Sequence, residues 1–136
     1  MKKKVLFICT HNSNRSQIAE ALLNNLYFEK YEAYSAGTQP SKVNEYAIKV
    51  LKEIGIDISK NRSKHIDEFK NEFFDYVVTV CDTAKETCPF FPNTKEVIHK
   101  SFYDPSTYIG TDEEKLEKFR ILREEIKNFL IQTFGR

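Results

Sequence analysis

Apolar and polar positions along the chain alternate between two periods. Val5-Leu6-Phe7-Ile8 is a continuous run of strand-favouring residues that ends at Cys9. Phe74-Asp75-Tyr76-Val77-Val78-Thr79-Val80 is a second β-rich run, and it ends at Cys81. Runs of this kind predict parallel strands buried on both faces. Tyr31 to Ala36 predicts a further strand, closed by Gly37 and the turn formers Gln39-Pro40-Ser41. Lys95 to Ser101 predicts a fourth, more polar and placed at an edge.

Between the strands the apolar spacing switches to three and four. Gln17 to Tyr27 carries Ile18, Leu22 and Leu26 on one stripe, with Ala19 and Leu23 beside them. Ser13 is the expected cap of this helix, and Ser16 lies in its first turn. Asn44 to Ile54 predicts an amphipathic helix built on Ala47, Ile48, Leu51 and Ile54, stopped by Gly55 at C′. Ile56 to Lys64 reads as irregular, and Ile66 to Phe73 as a short helix whose Phe69 and Phe73 enter the core. Asp82 to Thr87 is a loop or helix leading to Cys88-Pro89. From Asp112 a long helix runs to about Thr133, with Leu116, Phe119, Leu122, Ile126, Phe129 and Leu130 inward. Thr111 with Glu114 three residues on fits a capping box at its start.

The order β-α-β-α-(α)-β-α-β-α predicts an α/β fold with a four-stranded open parallel sheet and helices on both faces. No repeat, low-complexity segment or linker interrupts it, so residues 1–136 read as a single domain. Ligands of such sheets bind beyond the carboxyl ends of the strands.

Composition narrows the function. Charges balance at 21 basic against 20 acidic residues, and no basic cluster is interleaved with aromatics, which argues against nucleic acid or a membrane surface as partner. Lys2-Lys3-Lys4 before Val5 imitates a signal peptide, but the apolar run stops at a polar loop and is too short for one. A soluble, cytoplasmic protein and a monomer are expected. The chain has three cysteines, too few and too scattered for a static disulfide framework in a reducing compartment. Cys81 and Cys88 have six residues between them and His11, His65 and His99 are dispersed, so a zinc site is disfavoured and no metal is assigned.

The chemistry concentrates in Cys9-Thr10-His11-Asn12-Ser13-Asn14-Arg15-Ser16. A strand that breaks into a short polar loop at a helix start is a ready anion site, because loop amides and the helix dipole both favour negative charge. Arg15 adds a planar fork of donors suited to two oxygens of a tetrahedral oxyanion. The same positive field favours the thiolate of Cys9, and Ser16 is close enough to donate to its sulfur. Thiolate and oxyanion cradle together suggest attack on the central atom of a phosphate-like ion. Cys81 and Asp104 also follow predicted strand ends, which puts them on the same rim. Asp104 before Pro105 is either a turn initiator or a carboxyl that donates to a leaving oxygen. Cys81 and Cys88 are either buried packing residues or a redox relay.

With those residues in view, the chain resembles the thioredoxin-coupled arsenate reductases, which are built on the low-molecular-weight protein tyrosine phosphatase fold. The resemblance rests on Cys9 to Ser16 followed by Gln17-Ile18-Ala19-Glu20-Ala21, on Val78-Thr79-Val80-Cys81 to Cys88-Pro89, and on Asp104-Pro105. It implies that Cys9 attacks arsenate held by Thr10, His11, Asn12, Ser13, Asn14, Arg15 and Ser16, while Asp104 protonates the departing oxygen. It further implies a Cys9–Cys81 disulfide, then Cys81–Cys88, with no bound cofactor and with thioredoxin as the external reductant. A regular helix over 81–88 would hold the two Cα atoms roughly 10 Å apart, whereas a disulfide needs them within about 7 Å. Asp82 to Phe91 is therefore expected to change conformation on oxidation.

Two loop positions depart from the family pattern, since many relatives carry Gly and Cys where this chain has His11 and Asn14. Some members bind potassium through residues matching Asn12, Glu20 and Ser35, and here Lys64 falls near the expected acidic partner. Two other readings stay open: a low-molecular-weight phosphatase using only Cys9, Arg15 and Asp104, and a non-catalytic thiol redox sensor or oxyanion-binding module.

Overall fold

The computed structural model describes residues 2–82 and 90–135. Cys88, and most of the segment Asp82 to Thr87, lie outside the described residues. The elements are β1 (Lys3–Cys9), α1 (Arg15–Leu26), β2 (Tyr31–Gly37), α2 (Glu45–Lys52), a 3-10 turn at Ile66–Phe69, β3 (Phe74–Thr79), β4 (Thr94–His99), a 3-10 turn at Pro105–Thr107 and α3 (Asp112–Phe134). The strands form one sheet in the order β2-β1-β3-β4, every pair parallel. From β1 the chain winds first outward to β2 and then back across to β3 and β4. The strand order reverses between β1 and β3, and that is where such sheets open a crevice at their carboxyl ends.

The apolar run of β1 explains its central place. Val5, Leu6, Phe7 and Ile8 have no exposed surface. Val5, Phe7 and Cys9 face one core, which is filled by Ile18 and Leu22 of α1, Val50 and Leu51 of α2, and Phe119, Leu122, Ile126 and Leu130 of α3. Leu6 and Ile8 face a second core with Ala36, Phe69, Phe74, Val77 and Phe91. Each such side chain contributes roughly 1.5–3 kcal/mol of burial, so β1 can sit only where both faces are covered. Among the described residues, all three α-helices pack in the first core, and the second is closed by the 3-10 turn and its aromatic rings.

That turn is shorter than the pattern predicts. Phe69 is buried, but Phe73 is 56% exposed and lies outside the core. Residues four apart share a face only in an α-helix; after one 3-10 turn the chain has already swung toward β3. Phe69 instead meets Tyr34 and Phe74 edge-to-face at 5.7 and 5.8 Å, and Phe91 meets Phe74 at 5.7 Å. The edge strand β4 is largely solvated, as expected of a polar strand.

The helix ends follow local chemistry. Gly55 adopts φ +84, and the bonds from Ile56 N–H to Leu51 and from Gly55 N–H to Lys52 close a Schellman motif after α2. Both halves of the Thr111–Glu114 capping box form, at 3.2 and 2.8 Å. At α1 the cap is Asn14 rather than Ser13: the Asn14 side-chain oxygen accepts the Arg15 N–H. No helix among the described residues is long and apolar enough to cross a membrane.

Candidate active site

Cys9 is the last residue of β1, paired in register with Gly37 at the end of β2. It is 2% exposed. The loop behind it turns on Asn12, whose φ of 49 lies in the left-handed region that asparagine tolerates better than most residues. Asn12 is fully buried and its side chain is a hub. Its oxygen accepts from Gln17 Nε2 at 2.9 Å and from the Lys64 N–H at 2.8 Å, and its Nδ2 donates to Ser16 Oγ at 2.7 Å. Ser16 Oγ lies 2.9 Å from Cys9 Sγ. A thiolate can only accept, so in that form Ser16 is the donor. The sequence-level contact between Ser16 and the cysteine is therefore present, and Asn12 holds it in place.

Arg15 opens α1 and is 2% exposed. Its Nη1 donates to the Phe102 carbonyl at 3.4 Å, and its Nη2 lies 3.6 Å from Asp104 Oδ2. The guanidinium thus spans from the loop to the segment after β4. Asp104 takes the turn-initiating role that one reading of the sequence gave it. It caps the 3-10 turn at Pro105–Thr107, accepting the Ser106 N–H at 2.9 Å, and it faces the cysteine loop. Asn14 Nδ2 donates to Asp104 Oδ1 at 3.0 Å. Burial pushes the Asp104 carboxyl up, but the Ser106 hydrogen bonds, the Arg15 charge and Asn14 outweigh it and hold the group below its ordinary value.

These residues enclose a cavity of about 150 Å³ lined by Cys9, His11, Ser13, Asn14, Arg15, Ser41, Asp104 and Ser106. The volume is well below the roughly 300–1,000 Å³ of sites for drug-sized ligands, and suits a small ion. Of the loop residues expected to bind the anion, His11, Ser13, Asn14 and Arg15 line the cavity, and Thr10, Asn12 and Ser16 are not among its lining residues. Ser41 and Ser106 were not anticipated. Ser41 was legible only as a turn former, and nothing in the local pattern placed either beside Cys9. The His11 ring is held at 3.0 Å from the Gln39 carbonyl through Nδ1.

Cys81 is fully buried. Val80 N–H donates to the Ile8 carbonyl at 2.9 Å, extending the β1–β3 pairing past β3, and Cys81 Sγ approaches the same carbonyl at 3.8 Å. That carbonyl belongs to the residue before Cys9. Beside the loop, Lys64 Nζ lies 3.9 Å from Glu20 Oε1, to which Ser35 Oγ also donates at 2.8 Å. Burial pushes Glu20 up against the pull of Lys64, and burial pushes Lys64 down against Glu20. With the Asn12 oxygen taken by two N–H donors and Glu20 facing an ammonium, these residues do not fit a resident potassium ion.

The profile of the low molecular weight phosphotyrosine protein phosphatase family matches residues 4–133. The arsenate reductase of Halalkalibacterium halodurans is 46% identical over 134 residues, 98% of this chain and 96% of that protein. Among solved structures, an arsenate reductase in the phosphate binding state superposes with a TM-score of 0.82 at 32% identity, covering 99% of this chain and 98% of that one. A thioredoxin-dependent arsenate reductase of Corynebacterium glutamicum superposes with a TM-score of 0.62 at 29% identity, covering 97% of this chain and 64% of that one.

Proposed function

Because this chain belongs to the low-molecular-weight phosphotyrosine protein phosphatase family, we propose that it reduces arsenate to arsenite through Cys9, Cys81 and Cys88, with thioredoxin restoring the thiols. Its role would be arsenic detoxification. Arg15 and the loop amides hold the oxyanion in the cavity, and the Cys9 thiolate bonds to arsenic. Asp104 gives a proton to the departing oxygen, which leaves as water. Asp104 is held as carboxylate in the free protein, so its proton enters with the oxyanion, whose negative charge favours the acid form.

The Cys81 sulfur then attacks the Cys9 sulfur. The sulfur–arsenic bond breaks with its electron pair going to arsenic, which leaves as arsenite and takes up the Cys81 proton. Arsenic passes from +5 to +3 while two thiols become the Cys9–Cys81 disulfide. Cys88 attacks Cys81, frees Cys9, and leaves a Cys81–Cys88 disulfide for thioredoxin. Phosphorus in phosphate does not accept that electron pair.

The observation that supports reduction over ester hydrolysis is Cys81: a buried cysteine whose sulfur lies against the carbonyl of the residue before the nucleophile. A phosphatase needs no thiol there. The test is arsenate-dependent NADPH oxidation with thioredoxin and thioredoxin reductase, run beside aryl phosphate hydrolysis. Cys81→Ser should abolish the first. Arsenate turnover that survives Cys81→Ser would remove Cys81 from the relay, and turnover absent from the native chain while aryl phosphate is cleaved would leave the phosphatase reading in its place.

A further inference from the structure

Asn14 lines the cavity, yet both ends of its side-chain amide are committed to protein. The oxygen accepts the Arg15 N–H at the start of α1, and the nitrogen donates to Asp104 Oδ1 at 3.0 Å. These partners fix the amide's orientation: a backbone N–H cannot accept and a carboxylate cannot donate. Asn14 is 4% exposed, so the bridge is shielded from water. Asp104 Oδ1 also accepts the Ser106 N–H at 2.9 Å, while its other oxygen, Oδ2, is the one that faces Arg15 at 3.6 Å.

From this arrangement we infer that Asn14 is the positioning residue of Asp104, pinning Oδ1 with Ser106 so that the transferable proton resides on Oδ2. An oxygen that accepts two N–H donors is a poor site for a proton that must itself be donated, so the acid form carries its proton on Oδ2, toward Arg15 and the cavity. The inference rests on the proposed role of Asp104 in protonating the departing oxygen. It recasts Asn14: its donor aims the acid, and does not grip the anion.

The groups facing Asp104 can be named from each side. Arg15 approaches from α1, Cys9 from the end of β1, and His11 from the loop, all around one cavity. α3 packs against the turn that Asp104 caps. The carboxylates of its first turn are engaged elsewhere: Asp112 by Tyr46, Glu113 by Arg120, and Glu114 in the Thr111 capping box. Asn14 is thus an uncharged donor acting beside the Arg15 guanidinium, and its hydrogen bond favours the carboxylate form.

Asn14→Ser separates the two bonds, because serine caps a helix well but has no N–H to reach Asp104. Asn14→Asp keeps the shape and replaces the donor by a like charge. The first readout is the carboxyl carbon resonance of Asp104 titrated by NMR in the whole protein, assigned with Asp104→Asn. A hydrogen bond to an ion is worth enough that losing it should shift the Asp104 protonation equilibrium roughly tenfold toward the acid form in Asn14→Ser. The shift should be larger in Asn14→Asp. The second readout is the pH profile of arsenate-dependent turnover. The plateau should fall because the acid is no longer aimed, and the limb on which activity is lost with rising pH should move to higher pH. A merely structural role would lower the rate without displacing the limb. An Asp104 titration unchanged in both variants overturns the inference. A titration that moves while the arsenate limb stays put keeps Asn14 as the residue that holds Asp104, and removes Asp104 as the acid.

Discussion

Gly37 is where the end of β2 presses on the cysteine loop, and Gly37→Ala tests that contact. A Cβ there would run into the Thr10 carbonyl oxygen and lie 2.8 Å from the Cys9 oxygen and 2.9 Å from the Asn12 nitrogen. All three are backbone atoms, so no side chain can swing away. Restoring ordinary contact at 3.4 Å requires a displacement of about half an ångström, and more at Thr10. The backbone cannot take that up by moving β2, because Gly37 N–H is tied to the Lys64 carbonyl at 2.9 Å and Gly37 is paired with Cys9. The loop must move instead. Overpacking of this kind costs about 1–3 kcal/mol, which for a domain of this size lowers the thermal midpoint by several degrees. Misplacing reacting groups by up to an ångström costs as much as a hundredfold in rate, so arsenate turnover should fall between roughly tenfold and a hundredfold. Thermal unfolding followed by circular dichroism, and turnover in the thioredoxin-coupled assay, measure the two effects. Native stability with native turnover in Gly37→Ala would show that β2 does not shape the loop.

Cys9→Ser should abolish arsenate reduction and any phosphatase activity while an oxyanion still binds, as read by calorimetric titration; residual turnover would mean a different nucleophile. Asp104→Asn should slow the first chemical step by roughly two to four orders of magnitude in single-turnover kinetics and barely change oxyanion affinity. Asp104 is held below its ordinary value in the folded chain, so it contributes stability that is present above the unfolded value of about 3.9 and disappears as pH falls through the lower folded value. Below about pH 5, denaturant titrations should therefore show the native chain losing more stability than Asp104→Asn. Hydrogen exchange over residues 82–91 should differ between the reduced and the Cys81–Cys88 oxidised protein; equal protection in both would remove the conformational part of the relay.

Elements whose burial is set by their own period were legible in the sequence. The apolar runs ending at Cys9 and Cys81 became the two central strands because only a strand covered on both faces can bury every side chain of such a run. The stripe on α3 and its capping box followed from spacings within one helix. Errors arose where two local choices were nearly equal. Ser13 and Asn14 are both good caps, and adjacent; what selects Asn14 is Asp104, ninety residues away in sequence, on the other side of the cavity. Phe73 looked like a core residue only because a four-residue spacing was read as α-helical.

The cavity itself was legible in its reacting groups and not in its shape. Cys9, Cys81 and Asp104 could be placed on one rim because each follows a predicted strand end, with Arg15 in the loop after Cys9, and the reversal of strand order between β1 and β3 brings those ends together. The shape comes from segments with no chemical signature. Ser63 Oγ donates to the His11 carbonyl at 2.8 Å, Lys64 N–H reaches the Asn12 side chain, and Gly37 N–H returns to the Lys64 carbonyl at 2.9 Å. The irregular stretch before the first 3-10 turn therefore braces both the loop and the strand end that presses on it. Its polar residues read as solvated loop because their partners are backbone groups far along the chain, which no periodicity encodes. Asn12 in the left-handed region follows from the same bracing, since its side chain is held by Gln17, Ser16 and Lys64 at once. A loop that brings Cys9 and Arg15 to one cavity is thus fixed from outside, by contacts that need only small polar residues.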